Sequence, residues 1–269
     1  MEVRYARLRP AQIIERREAC PVVYIPVGTI EWHGPHNPVG ADTFQAEALA
    51  IRCAERGGGL VFPPLFYGEN RLEGLMEANA ADRADIAAAM RLPPENFDPE
   101  AFPFTATEQM LAYNHLLLHI LAEADSLGFK VGVLVAGHYP LIDHCRAAVV
   151  QYMQRVMKKP DAMLPWATVD YLEINDMYGN AGDHAGNWET SHMLAIDPDT
   201  VDLSALPPRG ERLTGILGTP PYDADAGFGR ETLEAAAQVV VEEVRDRLER
   251  PALYRGHGKA LLERLWLHR

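Results

Sequence analysis

Short apolar runs alternate with amphipathic helical segments along most of the chain, and this alternation limits the possible fold more than any other feature. Four runs have the length and composition of strands: 22–29, 60–66, 131–136 and 166–171. The run at 22–29 is apolar and rich in β-branched residues, as expected for a strand covered on both faces. Because strand, loop and helix repeat in order, the sequence predicts a layered α/β/α fold with a central, mostly parallel sheet. Its functional loops should lie at the carboxyl edge.

Helical patterns fill the intervals between these runs. Apolar spacing and terminal signals predict helices over 11–19, 42–55, 105–128, 141–156 and 232–248, a weaker one over 78–90, and one that begins at Trp188. Prolines break the pattern in an irregular excursion at about 69–105. No Gly/Ser-rich or Pro-rich linker divides the 269 residues, which predicts a single domain over 1–269.

The charge and the apolar runs exclude several classes of function. The chain has 38 Asp plus Glu against 25 Lys plus Arg, a net charge of -13, which argues against a nucleic-acid surface. No basic segment leads into an apolar signal at the N-terminus, and no apolar run approaches the length of a membrane span. We therefore expect a cytoplasmic protein. Its three cysteines, Cys20, Cys53 and Cys145, form no CxxC pair and should be reduced and buried.

The loop after the first apolar run collects side chains that bind metals. Segment 26–42 contains Glu31, His33, His36 and Asp42. Imidazole nitrogen and carboxylate oxygen are ligands that zinc, iron(II) and manganese accept. A loop at the end of a buried strand can direct such groups to one point, so this segment predicts a metal site.

Two further loops contribute similar side chains. His138 follows the run at 131–136, and His184 and Glu189 lie where a helix begins. With Glu31, His33 and Asp42 they form a set large enough for two metals bridged by one carboxylate, plus a protein acid/base.

These residues also have simpler interpretations. A histidine beside a proline, such as His36, more often hydrogen-bonds its loop than binds metal, and Glu189 alone is a first-turn carboxylate favoured by the helix dipole. His115 and His119 are a competing metal pair, four residues apart on one helical face. No third ligand is visible near them in the sequence, so they could simply occupy the polar face of their helix.

Three motifs in the chain resemble those of the creatininase (creatinine amidohydrolase) family. They are Pro-x-Gly-x-x-Glu-x-His-Gly-Pro-His-x-Pro-x-Gly-x-Asp at 26–42, Gly137-His138 after an apolar strand, and His184-Ala185-Gly186-x-x-Glu189-Thr190-Ser191. The resemblance implies a layered α/β fold with a central parallel sheet and a hexameric homo-oligomer. It also implies hydrolysis of C–N bonds in cyclic or linear amides at a centre of two divalent ions.

Residue by residue, the resemblance implies that Glu31 and His138 hold one metal, His33 holds the other, and Asp42 bridges them. Glu189 is the expected remaining ligand of the second site, and His184 matches the catalytic histidine. The candidates to support the ligands or contact the substrate are His36, Tyr139, Asn187 and Trp188. The chain departs from the family pattern at Pro140, where creatininases carry a Glu ligand, at Asn187, where many members carry Glu, and at Asn180, where creatininases carry Trp.

These observations predict a metal-dependent amidohydrolase with two divalent ions (Zn, Mn or Fe) and a small amide substrate. A water shared by two such ions is acidified towards neutral pH, and His184 is suited to protonate the leaving nitrogen. One alternative is a family deformylase or peptidase with a different substrate. Another, suggested by Pro140 and Asn187, is a metal-poor homologue that acts as a binding or scaffold protein.

Overall fold

A parallel four-stranded sheet forms the centre of the molecule. The computed structural model describes residues 2–68, 80–98, 104–256 and 258–266. Within these residues the strands pair in the order β2-β1-β3-β4. They are β1 (Val22–Val27), β2 (Leu60–Val61), β3 (Val131–Ala136) and β4 (Leu164–Val169). The predicted parallel sheet is confirmed.

Helices connect and cover these strands. They are α1 (Pro10–Ala19), α2 (Ala41–Gly57), α3 (Arg83–Ala89), α4 (Ala106–Ser126), α5 (Leu141–Val156), α6 (Asp170–Tyr178), α7 (Asn187–Ile196), α8 (Ala226–Glu249) and α9 (Lys259–Trp266). Local sequence signals determine where several of these helices begin or end. Thr105 and Glu108 form a capping box at the start of α4, and Gly58, at φ +87°, follows α2. None of the described helices is both long and apolar enough to span a bilayer.

The sheet has one apolar core on each face. Alternate side chains of β1 point in opposite directions, as in any strand. Val23, Ile25 and Val27 join the core formed with α4 and α5, whereas Val22 and Tyr24 join the core formed with α2 and α8. This double coverage explains why the strand lacks alternating polar residues, and it confirms the layered α/β/α prediction. The three cysteines form no disulfide, and Cys53 and Cys145 are buried as predicted, whereas Cys20 is only partly buried.

Three strand predictions were wrong in extent. The strand predicted over 22–29 ends at Val27. The strand predicted over 60–66 ends at Val61, because Pro63 and Pro64 have no amide hydrogen to donate to a neighbour. The strand predicted over 166–171 ends at Val169, and Asp170 already begins α6. Residues 170 and 171 therefore belong to a helix that the apolar pattern did not reveal.

The helix predictions hold apart from their ends. The segment predicted over 78–90 contains α3, preceded by a 3-10 turn over Ala80–Asp82. The helix predicted over 232–248 begins earlier, at Ala226, because the Asp225 side chain caps it by accepting the Phe228 N–H. Residues 69–79 and 99–103 of the predicted irregular excursion lie outside the described residues.

Gly137 brings the loop after β3 against the start of α2. Its N–H donates to the Val27 carbonyl at 2.9 Å, and a Cβ at this position would lie 1.8 Å from the backbone oxygen of Asp42. Neither backbone segment has room to move away from such a contact. This backbone contact therefore holds the loop that carries His138 close to the helix that carries Asp42.

We expect Gly137→Ala to destabilise the protein by about 1–3 kcal/mol, the usual cost of overpacking, because the new methyl group would overlap backbone atoms. Urea unfolding measures the change in the free energy of unfolding. Gly40→Ala is the control, since a Cβ there would meet only the rings of Phe44 and Phe66, at 3.2 and 3.3 Å. Equal losses in the two variants would contradict the proposed backbone contact.

Candidate metal centre

Six predicted side chains converge at the carboxyl edge of the sheet. Glu31 and His33 lie in the loop after β1, His138 in the loop after β3, and Asp42 in the first turn of α2. His184 and Glu189 lie just before α7 and in its first turn. All except the half-buried His184 are buried. The fold thus gathers ligand atoms from segments more than 150 residues apart in the sequence.

The first ligand cluster contains Glu31, Asp42 and His138. His138 Nδ1 lies 3.0 Å from Glu31 Oε2 and 3.2 Å from Asp42 Oδ2. Ligands about 2.0–2.2 Å from a single divalent ion lie about 2.8–3.6 Å from one another, the range from octahedral to tetrahedral angles. The three donor atoms are therefore spaced as the ligands of one cation.

The second ligand cluster contains His33, Asp42 and Glu189. His33 Nε2 lies 3.0 Å from Asp42 Oδ1 and 3.3 Å from Glu189 Oε2. Asp42 thus directs Oδ2 to the first cluster and Oδ1 to the second. This is the arrangement of a carboxylate that bridges two cations.

The tautomer of His33 fits a cation rather than a hydrogen-bond network. Nδ1 lies 3.1 Å from the Glu31 carbonyl oxygen, which can only accept, so Nδ1 carries the proton. Nε2 is fully buried and makes no hydrogen bond of acceptable geometry, although two carboxylates face it. A neutral ring would direct the Nε2 lone pair at two negative groups, which is repulsive unless a proton or a metal ion lies between them. The donor set therefore fits a divalent ion.

The charges around the centre support the same conclusion. Burial alone lowers the pKa of His33, but the negative charges of Asp42 and Glu189 outweigh burial and raise that pKa well above its usual value. Burial raises the pKa of Asp42, but His33 and His138 outweigh it and lower that pKa. The site thus favours ionised carboxylates with positive charge beside them, and a metal ion supplies such charge.

His184 faces this centre with one ring nitrogen. Nε2 donates to the Trp32 carbonyl at 2.9 Å, which leaves Nδ1 directed inwards, 3.9 Å from Glu31 Oε2. The His184 ring lies 4.6 Å from the His33 ring. Its Nδ1 also groups with Glu31 and His33 as a set that could hold a metal. The geometry therefore allows His184 to transfer a proton or to bind a metal.

The other predicted site residues lie around this centre. His36 Nε2 lies 2.9 Å from the Thr190 hydroxyl, and burial and the charge of His33 lower the pKa of His36 to about 4. His36 is therefore a neutral side chain that ties its loop to α7. Trp188 packs in the core and donates through Nε1 to Asp170, while the Asn187 N–H donates to the Thr219 carbonyl.

Asp183 is a residue that sequence reasoning passed over. Its carboxylate accepts the backbone N–H groups of Gly186, Trp188 and Glu189, at 3.2, 2.7 and 3.2 Å. These bonds fix the turn that carries His184 and Glu189. An aspartate just before a helix start is a known capping signal and could have revealed this role.

A cavity of about 370 Å³ opens beside the centre. The metal-centre residues His138, His184 and Glu189 line part of it, and Tyr139, Pro140, Tyr171 and Leu217 line the rest.

The competing histidine pair lies away from this cavity. His115 and His119 are exposed on α4, and no described Cys, Asp, Glu or His groups with them as a third ligand.

Comparisons with known proteins give consistent relatives. The family model described as creatinine amidohydrolase matches residues 6–244. The creatinine amidohydrolase of Pseudomonas putida is 27% identical over 217 residues, which cover 75% of this chain and 72% of that protein. The 3-dehydro-scyllo-inosose hydrolase of Thermotoga maritima is 26% identical, with coverage of 70% and 54%.

A peptidase and a solved structure extend this pattern. The mycofactocin precursor peptide peptidase of Mycolicibacterium smegmatis is 28% identical, with coverage of 67% of this chain and 60% of that protein. The chain thus spans less than two thirds of the inosose hydrolase and of this peptidase. A manganese creatininase structure has a TM-score of 0.69 at 23% identity and covers 93% of this chain and 100% of its own, which shows a shared fold. Since the family model covers nearly the whole chain, this protein belongs to the creatininase family.

Proposed function

We propose that this protein is a metal-dependent amidohydrolase that cleaves the C–N bond of a small cyclic or linear amide. The observation that carries the proposal is Asp42, which offers one carboxylate oxygen to each of two ligand clusters. Glu31 and His138 complete one site, and His33 and Glu189 complete the other. Two divalent ions held by these residues would supply a water of lowered pKa and would polarise the amide oxygen.

His184 supplies the proton for the leaving nitrogen. Its Nε2–H stays on the Trp32 carbonyl and holds the ring, so Nδ1 is the atom that gives the proton. Amide nitrogen leaves poorly as an anion, so this proton transfer is needed when the C–N bond breaks.

The cavity favours a small substrate. Its volume of about 370 Å³ lies near the lower end of the range for small-molecule sites. The relatives are named for action on creatinine, an inosose and a precursor peptide, so family membership leaves the substrate open. The complete donor set disfavours the metal-poor alternative, and nothing in the site favours the deformylase or peptidase alternative over a small amide.

Metal analysis and an amide panel test the proposal together. Protein purified without chelator is analysed for zinc, manganese and iron by mass spectrometry. It is then assayed by proton NMR on creatinine, a lactam, a formamide and a dipeptide amide. We expect nearly two ions per chain and hydrolysis of at least one small amide. Protein that binds no metal after supplementation, or that carries two ions yet cleaves no amide, would contradict the proposal.

We expect Glu189→Gln to lose one of the two ions with the fold intact. Gln can still accept the Ala185 N–H, which now bonds Glu189 Oε2 at 2.7 Å, but it lacks the charge that a divalent ion requires. Metal content and circular dichroism measure the outcome. The matched control is Glu108→Gln in the first turn of α4, where the carboxylate faces the helix dipole without a metal cluster. Retention of both ions at parental affinity would make Glu189 a structural residue only.

We also infer a homo-oligomer, with the hexamer of the family resemblance as its expected form. Exposed apolar side chains on α4 support self-association, since Met110 and Leu111 are 44% and 55% exposed. Light scattering after size exclusion measures the mass. A cytoplasmic location stays a prediction from the sequence.

A further inference from the structure

The cavity beside the metal centre is lined by a tyrosine whose hydroxyl has no partner among the described residues. Tyr171 lies in the first turn of α6, directly beyond the carboxyl end of β4, and lines the cavity together with His138 and Glu189. Its Oη is buried from solvent and makes no hydrogen bond with any described residue. A buried, unpaired hydroxyl costs free energy, and one on a residue that lines a cavity can recover this free energy by bonding to a ligand.

The ring of Tyr171 is held in place. Tyr139 stacks on it, with ring centroids 5.9 Å apart and an interplanar angle of 25°. Gly182, at φ +85°, also packs against it, and a Cβ there would lie 2.8 Å from Tyr171 Cγ. Contacts on two sides therefore hold the ring, and with it the hydroxyl, in one orientation. A group fixed in this way binds its partner without paying to become ordered.

The hydroxyl is a donor in this setting. Burial and the nearby Asp170, Tyr139 and Glu189 raise the pKa of Tyr171, so the phenol keeps its proton. The carboxylates of Asp170 and Glu189 accept hydrogen bonds from other donors. Asp170 accepts Trp188 Nε1–H at 3.0 Å, and Glu189 accepts the Ala185 N–H. The Tyr171 O–H thus has no acceptor among the described residues. A carbonyl oxygen bound in the cavity would supply one.

We propose that Tyr171 donates a hydrogen bond to the carbonyl oxygen of the amide substrate. This role rests on the amidohydrolase function proposed above and adds a catalytic residue from α6 to the ligands and His184. The substrate class is a small amide. Its scissile C–N bond lies at the metal centre, and the carbonyl oxygen on the same carbon accepts from Tyr171 Oη. A substrate without such an oxygen leaves the hydroxyl unpaired and should be rejected.

Tyr171→Phe tests the role because it removes one oxygen atom and keeps the ring. Tyr24→Phe is the matched control, since Tyr24 Oη is also buried without a partner but lies on β1 in the core shared with α2 and α8. The probe is the amide that the parent hydrolyses fastest in the panel above. We expect kcat/KM to fall at least about 10-fold in Tyr171→Phe, and towards 100-fold or more where the oxygen develops charge. Tyr24→Phe should stay within about 2-fold, the scale of an ordinary neutral change.

Metal content should equal that of the parent in both variants, because neither hydroxyl bonds another residue. Tm should equal or exceed the parental value, because each change removes a buried, unpaired hydroxyl. Parental kcat/KM in Tyr171→Phe would overturn the proposal and leave the amidohydrolase function intact. Equal losses in the two variants would overturn it too, because they would show a packing effect. A parent that holds two ions and cleaves no amide would overturn the amidohydrolase function, and this role with it.

Discussion

Asp42→Ala is expected to remove both metal ions and reduce hydrolysis to background. The side chain is 1% exposed and gives one oxygen to each ligand cluster, so its loss takes a ligand from both sites at once. Loss of a partner that only supports a metal ligand typically costs 10- to 100-fold in affinity, so loss of a shared ligand should cost more than about 100-fold per site. Metal content by mass spectrometry and turnover on the best amide measure both effects.

Asp143→Ala is the matched control for this variant. Asp143 also lies in the first turn of a helix, α5, but its side chain is 80% exposed. Its removal should leave metal content and activity unchanged. Circular dichroism checks that each variant folds. If folded Asp42→Ala keeps the parental stoichiometry, Asp42 does not bridge the ions.

His184→Ala is expected to keep both ions and lose turnover by about 100- to 10,000-fold, the usual contribution of a general acid or base. Nδ1 faces the metal centre while Nε2–H is bound to the Trp32 carbonyl, so the ring is positioned for proton transfer. Without it, the leaving nitrogen must take its proton from water. Single-turnover kinetics and metal content separate the chemical step from metal loading.

His119→Ala is the control histidine, since His119 is exposed on α4 with its ring 3.8 Å from Glu123. It should change neither metal content nor rate, and a loss of metal there would revive the competing histidine pair. Loss of an ion from His184→Ala would instead make His184 a ligand. That result would fit its grouping with Glu31 and His33.

The sequence predicted the gathering of the metal ligands because each lies where a strand ends or a helix begins. Glu31 and His138 follow apolar runs that could only be covered strands, and such strands in parallel order bring their carboxyl ends to one edge. Asp42 and Glu189 lie in first helical turns, which the cap signals located to within one residue. Local patterns thus predicted that these side chains converge despite their separation in the chain, and the resemblance to the creatininase family implied their roles as ligands.

The wall of the cavity could not be predicted in the same way. Tyr171 was placed in a strand over 166–171, because an apolar run does not reveal where extended backbone turns into helix. The structure begins α6 at Asp170, which moves Tyr171 from the sheet to the cavity. The contacts of Asp183 and Gly182 depend on tertiary packing and left only weak signals. The side chains that surround a substrate were therefore the least visible in the sequence.

The backbone contact between Gly137 and Asp42 has a consequence for how such a protein diversifies. It ties two ligand-bearing segments together on the rigid sheet, whereas much of the cavity wall comes from the start of α6 and the loops around Gly182 and Leu217. Mutations in those loops alter the shape presented to a substrate without displacing Asp42 or His138. Asp42 and His138 can thus stay in place while the rest of the cavity wall, which includes His184, Glu189 and Tyr171, changes. Relatives named for action on creatinine, on an inosose and on a peptide fit such a division.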